Sequence, residues 1–294
     1  MGYPLGHRKR VDRTSSVLPN NATLVNEINR TAGILMHPSS LHGPHGIGDL
    51  GEGASRFVQW LHSAGIRAWQ ILPLVPPGAG NSPYSSWSAF AGNPLLISLD
   101  RLVHQGLLIA DEIIPESWMS SHRVQFEQVR RYKMPRLRIA AQRLLAGQNP
   151  TLKKSFLAFY ESQSWLQDAV LFATLKDQNE RRGWWDWPEP LRRRDHGALD
   201  AIRGQCRAEL DEMAAVQFIF EEQWQALAEE CAEKGITLIG DLPIYVDWDS
   251  VDVWAQQSLF LLNEAGVPLS VSGVPPDAFS ETGQLWGNPL YDWP

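Results

Sequence analysis

Residues 236–246 read ITLIGDLPIYV, and the fold class turns on this stretch. A short apolar, β-branched run between Gly235 and Pro243 suits a strand buried on both faces, as parallel sheets require. The residues before it predict a helix over 218–234. Phe220, Trp224, Leu227, Ala228 and Cys231 share one face, and Gly235 supplies the stop. A helix feeding a buried strand is half of an α/β unit. The strand runs directly into Asp241, and a carboxylate at the carboxyl end of a parallel strand stands where such folds keep their functional groups. A cap or loop carboxylate is the plain alternative.

The same rhythm appears upstream. GILMH (33–37) is a short apolar run bounded by turn residues. A helix is expected over 52–64, with Phe57, Trp60, Leu61 and Ala64 at helical spacing and Gly65 as its stop. RAWQILPL (67–74) gives the next strand, ended by Pro76-Pro77-Gly78. The chain from 102 to 213 breaks the alternation with helical periodicity and a Trp-rich turn at 183–190. A stretch that long reads as a helical insertion and not as a loop. The fold expected is α/β: the first strands of a parallel barrel carrying a helical inserted subdomain. Its divisions are a disordered leader (1–29), the first two strands (30–101), the insertion (102–213), and the third strand with a following loop (214–294).

Composition narrows the function. Of 294 residues, 44% are hydrophobic and 20% charged, ordinary for a globular protein. A net charge of −7 argues against nucleic acid or an anionic membrane surface as partner. Cys206 and Cys231 stand in no metal spacing, which favours a reducing compartment. Thirteen Trp are present, and several lie in Pro/Gly-rich loops, where flat amphipathic rings can stack on a ligand face.

Three motifs are set aside. GIGDLG (46–51) matches a dinucleotide fingerprint but begins nine residues past its strand, with no acidic residue ending the next one. His37, His42 and His45 lie close together in one loop without Cys or carboxylate at ligand spacing, so no metal is expected. His37, ending a strand, reads as a group facing a substrate pocket or as a satisfied structural histidine. Arg194-Asp195-His196 reads as a loop or a helix-end salt bridge. Asp249 or Ser250 is expected to cap the short segment containing Val253 and Trp254. Residues 273–288 (GVPPDAFSETGQLWGN) cannot be regular throughout and read as a lid or a surface excursion.

Six stretches in order carry a family resemblance: RTAGILMHPSSLHGPHGIGDLG (30–51), WQILPLVPP (69–77), SPYSSWSAFAGNPLLISLDRLV (82–103), GDLPIYV (240–246), DSVDVWA (249–255) and GVPPDAFSETGQLWGNPLYDW (273–293). Together they resemble the amylomaltase, or disproportionating-enzyme, family of 4-α-glucanotransferases. WLQDAVLFATLK (165–176) and WDWPEPLRRRD (185–195) are similar to that family's helical subdomain. The resemblance implies a (β/α)8 barrel and retaining transfer of an α-1,4-glucan segment through a covalent intermediate, with no cofactor or metal. Ser82 and Tyr84 match a donor-side loop. Asp241 matches a carboxylate that bonds sugar hydroxyls, and Asp277, Phe279, Trp286 and Asn288 match the loop covering the glucan. Ala278 stands where many members carry an aromatic.

The same resemblance places the family's nucleophile, acid/base and third carboxylate in R-I-D-H-F-R, E-D-L-G and T-H-D motifs. None of the three occurs in these 294 residues, and all are expected to lie beyond Pro294. A retaining mechanism needs two carboxyl groups about 5–5.5 Å apart. No catalytic residue is therefore assigned, and the chain is expected to be an inactive fragment of such an enzyme. A truncated glucan-binding paralogue and a hydrolase on the same barrel are the alternatives. The expected location is cytoplasmic, or the plastid stroma where the leader serves as a transit segment.

Overall fold

The computed structural model describes residues 30–120 and 122–293. The leader expected over 1–29 therefore lies outside the described residues, and so does Pro294, past which the catalytic motifs are expected. Three strands, β1 (Gly33–Leu35), β2 (Ala68–Gln70) and β3 (Thr237–Ile239), form a parallel sheet in the order β1-β2-β3. The register sets Gly33 beside Ala68 and Ala68 beside Thr237. Each strand is shorter than its apolar run. Proline explains much of this, since Pro73, Pro76, Pro77 and Pro243 have no N–H to give the ladder. Ile71 N–H still reaches the Ile239 carbonyl at 2.9 Å. Only β2 is buried as the patterning predicts. Leu35 and Ile239, on the outer strands, are 55% and 45% exposed, because each of those strands has a neighbour on one side only among the described residues.

Helix α1 (Glu52–Ser63) connects β1 to β2 and buries Ala54, Val58 and Leu61. Each large side chain so buried contributes about 1.5–3 kcal/mol. Phe57 meets Trp69 of β2 edge-on at 5.0 Å, and the Trp69 indole N–H donates to the Met36 carbonyl. Gly65 ends the helix at φ +71°, a conformation only glycine adopts cheaply.

Between β2 and β3 come α2 (Leu99–His104), α3 (Phe126–Ala146), α4 (Pro150–Ser162), α5 (Leu166–Gln178), α6 (Glu189–Arg192), α7 (His196–Gln205) and α8 (Arg207–Glu233). Helix α8 starts eleven residues before the expected 218, and the boundary expected at 213/214 falls inside it. The segment RAELDEMAAVQ lacks a strong apolar stripe but is rich in good helix formers, and it buries Leu210, Ala214 and Ala215. α8 packs against α1, α3, α4 and α5, and one apolar core runs from Leu50 and Trp69 through Phe172 and Trp187 to Trp254. Trp69, Trp184, Trp187 and Trp254 are core residues, whereas Trp60, Trp286 and Trp293 are half or more exposed.

After β3 come α9 (Val251–Ala255) and an antiparallel hairpin, β4 (Val271–Val274) with β5 (Gln284–Pro289). The stretch 273–288 is thus irregular only at its tip. Its glycines and prolines sit at a bulge and at strand ends, where the ladder tolerates them. Of the two candidate caps of α9, Ser250 accepts from Val253 N–H. Asp249 instead pairs with Lys176.

The motifs set aside have structural roles. In the GIGDLG run, a Cβ on Gly48 would strike the Pro38 and Leu41 carbonyls, and one on Gly51 the Ser98 hydroxyl. These glycines permit close backbone packing. Asp195 caps α7 by accepting from Ala198 N–H at 2.9 Å. Arg194 grips both oxygens of Asp168 at 2.8 and 2.9 Å and lies over the Trp254 ring.

Candidate functional site

The segments that follow the carboxyl ends of the three strands carry half of the side chains that the sequence singles out: His37, Ser82, Tyr84 and Asp241. Beyond β2 the chain turns through residues 76–98. This segment is rich in Ser, Gly and Asn because it satisfies its own backbone. The buried Ser86 hydroxyl donates to the Pro76 or Ser88 carbonyl (both 2.7 Å), and the Ser88 hydroxyl oxygen accepts from Ala91 N–H at 3.0 Å. Within it the Ser82 hydroxyl oxygen accepts from Tyr84 N–H at 3.3 Å, a turn that aims the Tyr84 ring outward. The Tyr84 hydroxyl donates to Asp241 Oδ2 at 2.5 Å across 157 residues of chain. That bond, with some help from burial and the carboxylate charge, holds the Tyr84 phenol above its ordinary range. Ser82, Tyr84 and Asp241 are thus one constellation, and Tyr84 and Asp241 remain open to solvent.

The hairpin carries a second group. Phe279, at its tip, is 95% exposed, and Trp286 is 50% exposed. Asp277 accepts from the Phe279 and Ser280 N–H groups, both at 2.8 Å, so its carboxylate shapes the tip. Asn288 donates to the Val246 carbonyl at 2.9 Å and accepts from Ser272 at 3.2 Å. The Trp286 ring lies 6.4 Å from that of Tyr245. The base of the hairpin is therefore tied to residues 245–246, a few positions beyond Asp241.

His37 caps a turn at Pro38–Ser40, its Nδ1 accepting from Ser39 N–H at 3.2 Å. Burial pushes its pKa below the usual histidine value. His45 is 1% exposed and bonds the Ile113 carbonyl. Among the described residues no group of three or more His, Cys, Asp or Glu side chains is placed to hold a metal ion. Burial pushes the Cys231 thiol up to about 12, so it is no nucleophile.

Several residues that hold this face were missed in the sequence. Asp247 accepts from the Ser85 hydroxyl at 2.6 Å, and Asp252 accepts from Ala89 N–H at 2.9 Å. On α8, buried Gln217 makes a double hydrogen bond to Gly92, and Gln223 does the same to Ser98. The signal was present, since a Gln within Ala214-Ala215-Val216-Gln217-Phe218 can be buried only with both amide ends satisfied. A cleft of about 1250 Å3 lies between residues 76–81, α3, α5 and α8, but neither Tyr84 nor Asp241 lines it.

Comparison with known proteins shows the family. A family model described as 4-alpha-glucanotransferase matches residues 36–294. The chain belongs to the 4-alpha-glucanotransferase family. It is 50% identical over 270 residues to the chloroplastic/amyloplastic 4-alpha-glucanotransferase of Arabidopsis thaliana, a match covering 91% of this chain and 46% of that one. It is 44% identical over 269 residues to the 4-alpha-glucanotransferase of Thermus thermophilus, covering 91% and 53%. Its structure superposes on the amylomaltase from Streptococcus agalactiae in complex with acarbose with a TM-score of 0.86 at 36% identity, over 90% of this chain and 54% of that one. The chain spans about half the length of these relatives. Among its described residues no helix is long and apolar enough to cross a membrane.

Proposed function

We propose that this chain supplies the glucan-gripping part of a 4-α-glucanotransferase, an enzyme that passes an α-1,4-glucan segment to an acceptor glucan by double displacement. The observation that carries this is the Tyr84–Asp241 hydrogen bond. It joins two residues that family resemblance assigns separately to sugar contact, and it leaves both open to solvent. Ser82 shapes their turn. Phe279 and Trp286 offer ring faces to a sugar, while Asp277, Asn288 and His37 hold the surrounding backbone. An α-glucan suits this pairing of exposed rings with hydroxyl-bonding groups, and the similar amylomaltase from Streptococcus agalactiae is in complex with acarbose.

In this reading β1, β2 and β3 are the first strands of a parallel barrel, with residues 102–213 as its helical insertion. The R-I-D-H-F-R, E-D-L-G and T-H-D motifs that the resemblance links to the retaining reaction do not occur in residues 1–294. Asp241, Asp247, Asp249 and Asp252 hold Tyr84, Ser85, Lys176 and Ala89 respectively, and none is offered as a free nucleophile. The location proposed is the plastid, as in the chloroplastic/amyloplastic relative of Arabidopsis thaliana, or the cytoplasm.

Affinity electrophoresis in amylose-containing gels tests the binding half. The chain is expected to be retarded, and Asp241→Ala to migrate freely. An unretarded parent chain would overturn it. For the catalytic half, the 294-residue chain is expected to release no glucose from maltotriose, and release of glucose would refute the assignment.

A further inference from the structure

We infer that Asp247 is a positioning residue for the Tyr84–Asp241 pair, acting through the hydroxyl of Ser85. The inference rests on the proposed glucan site for its purpose, though not for its geometry. Residues 241–252 run alongside residues 84–89 and fasten them at four points. Asp241 takes the Tyr84 hydroxyl, Asp247 the Ser85 hydroxyl at 2.6 Å, and Asp252 the Ala89 N–H at 2.9 Å. Val251 N–H reaches the Trp87 carbonyl at 2.8 Å. Two of these fasteners are main-chain or helix-start contacts that fix residues 87–89. Asp247 alone grips the residue next to Tyr84.

The other side of Ser85 shows why this grip matters. Its carbonyl accepts from Gly78 N–H, and its own N–H donates to the Ser82 carbonyl at 3.3 Å. Ser85 is therefore the knot at which the loop from Gly78, the Ser82 turn and the 241–252 segment meet. Asp247 is itself held, since its Oδ1 accepts from Asp249 N–H at 2.9 Å while Oδ2 takes Ser85. Asp249 in turn is anchored on Lys176 of α5. A carboxylate fixed at one oxygen and bonding with the other can set a neighbouring hydroxyl without moving. A tyrosine aimed from a turn needs this restraint, because a small swing of the turn would take its hydroxyl out of hydrogen-bond range of Asp241.

The test reads the position of Tyr84 directly. Tyrosines labelled with carbon-13 at Cζ are titrated by NMR, and Tyr84 is assigned by its loss in Tyr84→Phe. In the parent chain Tyr84 is expected to titrate above the ordinary tyrosine range, as its hydrogen bond to Asp241 dictates. In Asp247→Ala and in Ser85→Ala its titration is expected to fall back toward that range, with an unchanged thermal midpoint. The double variant should go no further than either single one, and Asp247→Asn should largely restore the parent value. Maltoheptaose affinity should weaken about two- to tenfold in the same two alanine variants, the scale of one hydrogen bond. Tyr84 titrating as in the parent in both alanine variants would overturn the inference. Should Asp247→Ala fail to fold, Ser85→Ala, which removes one hydroxyl, carries the same test. If Tyr84 shifts while the parent chain binds no maltoheptaose, the positioning role stands and the glucan reading falls. If maltoheptaose binds and Tyr84 does not shift, the reverse holds.

Discussion

Lys133 is the residue whose burial matters most for stability. It is fully buried on α3, where its ammonium donates to the Leu95 carbonyl at 2.8 Å and to Asp49 at 3.3 Å. Burial lowers its pKa, and the Asp49 charge opposes that. Removing the counter-charge strands a buried cation. Asp49→Asn is expected to cost about 3–5 kcal/mol in urea unfolding, while Lys133→Met with Asp49→Leu should recover most of it. Next to this pair His45 stacks on Tyr132, with Nδ1 3.7 Å from Asp100 and no hydrogen-bond partner among the described residues. Burial, then Lys133, push its pKa down, against weaker upward pulls from Asp100 and Asp49. The unfolded chain therefore takes up a proton near pH 6.5 that the folded chain refuses. Stability is expected to fall as pH drops below about 6.5, and His37 adds to the slope in the same direction. Thermal midpoints between pH 7.5 and 5.5 check this, and His45→Gln should flatten the slope. None of this was legible beforehand. The sequence shows Asp49 inside a dinucleotide-like run and Lys133 on a polar helix, and only the fold brings them together.

Among the elements, α8 does most to place the functional loop. Gln217 and Gln223 lie six residues apart, and each acts like a strand neighbour to one residue of the 92–98 segment. Gln217→Ala would leave the Gly92 N–H and carbonyl unsatisfied in the core. A loss of about 2–6 kcal/mol is expected in chemical unfolding, at about 1–3 kcal/mol for each stranded group. A change smaller than 1 kcal/mol would mean that water enters to replace the amide. The existence of α1, α8 and the three strands was legible from periodicity and from their glycine stops. Their lengths were not. The α8 start is carried by Ala and Glu propensity, and β3 stops at Ile239 although apolar residues continue to Val246. The β4–β5 hairpin was obscured because its Gly and Pro residues, ordinarily strand breakers, occupy a bulge and the ends.

At the scale of the whole molecule, the face around the strand ends combines a polar constellation with open apolar surface. Leu35, Ile239, Leu242 and Ile244 are 55%, 45%, 72% and 72% exposed, beside outer strands β1 and β3. Such edges favour pairing with other chains. Sedimentation velocity on the 294-residue chain is expected to show concentration-dependent self-association, reduced by Leu242→Lys with Ile244→Lys. A monomer with a sharp cooperative melt would contradict this. For the candidate site, ordered motifs in the sequence name the candidate residues. The partnerships were not legible, since Tyr84 and Asp241 lie 157 residues apart and meet only through folded contacts between residues 84–89 and 241–252. The central claim is that these residues grip an α-1,4-glucan. Calorimetric titration of the chain with maltoheptaose tests it most directly. Saturable heat at millimolar sugar or below, lost in a Tyr84→Phe, Asp241→Asn double variant, is the expected result. No heat at millimolar sugar, or equal heat from the double variant, would contradict it.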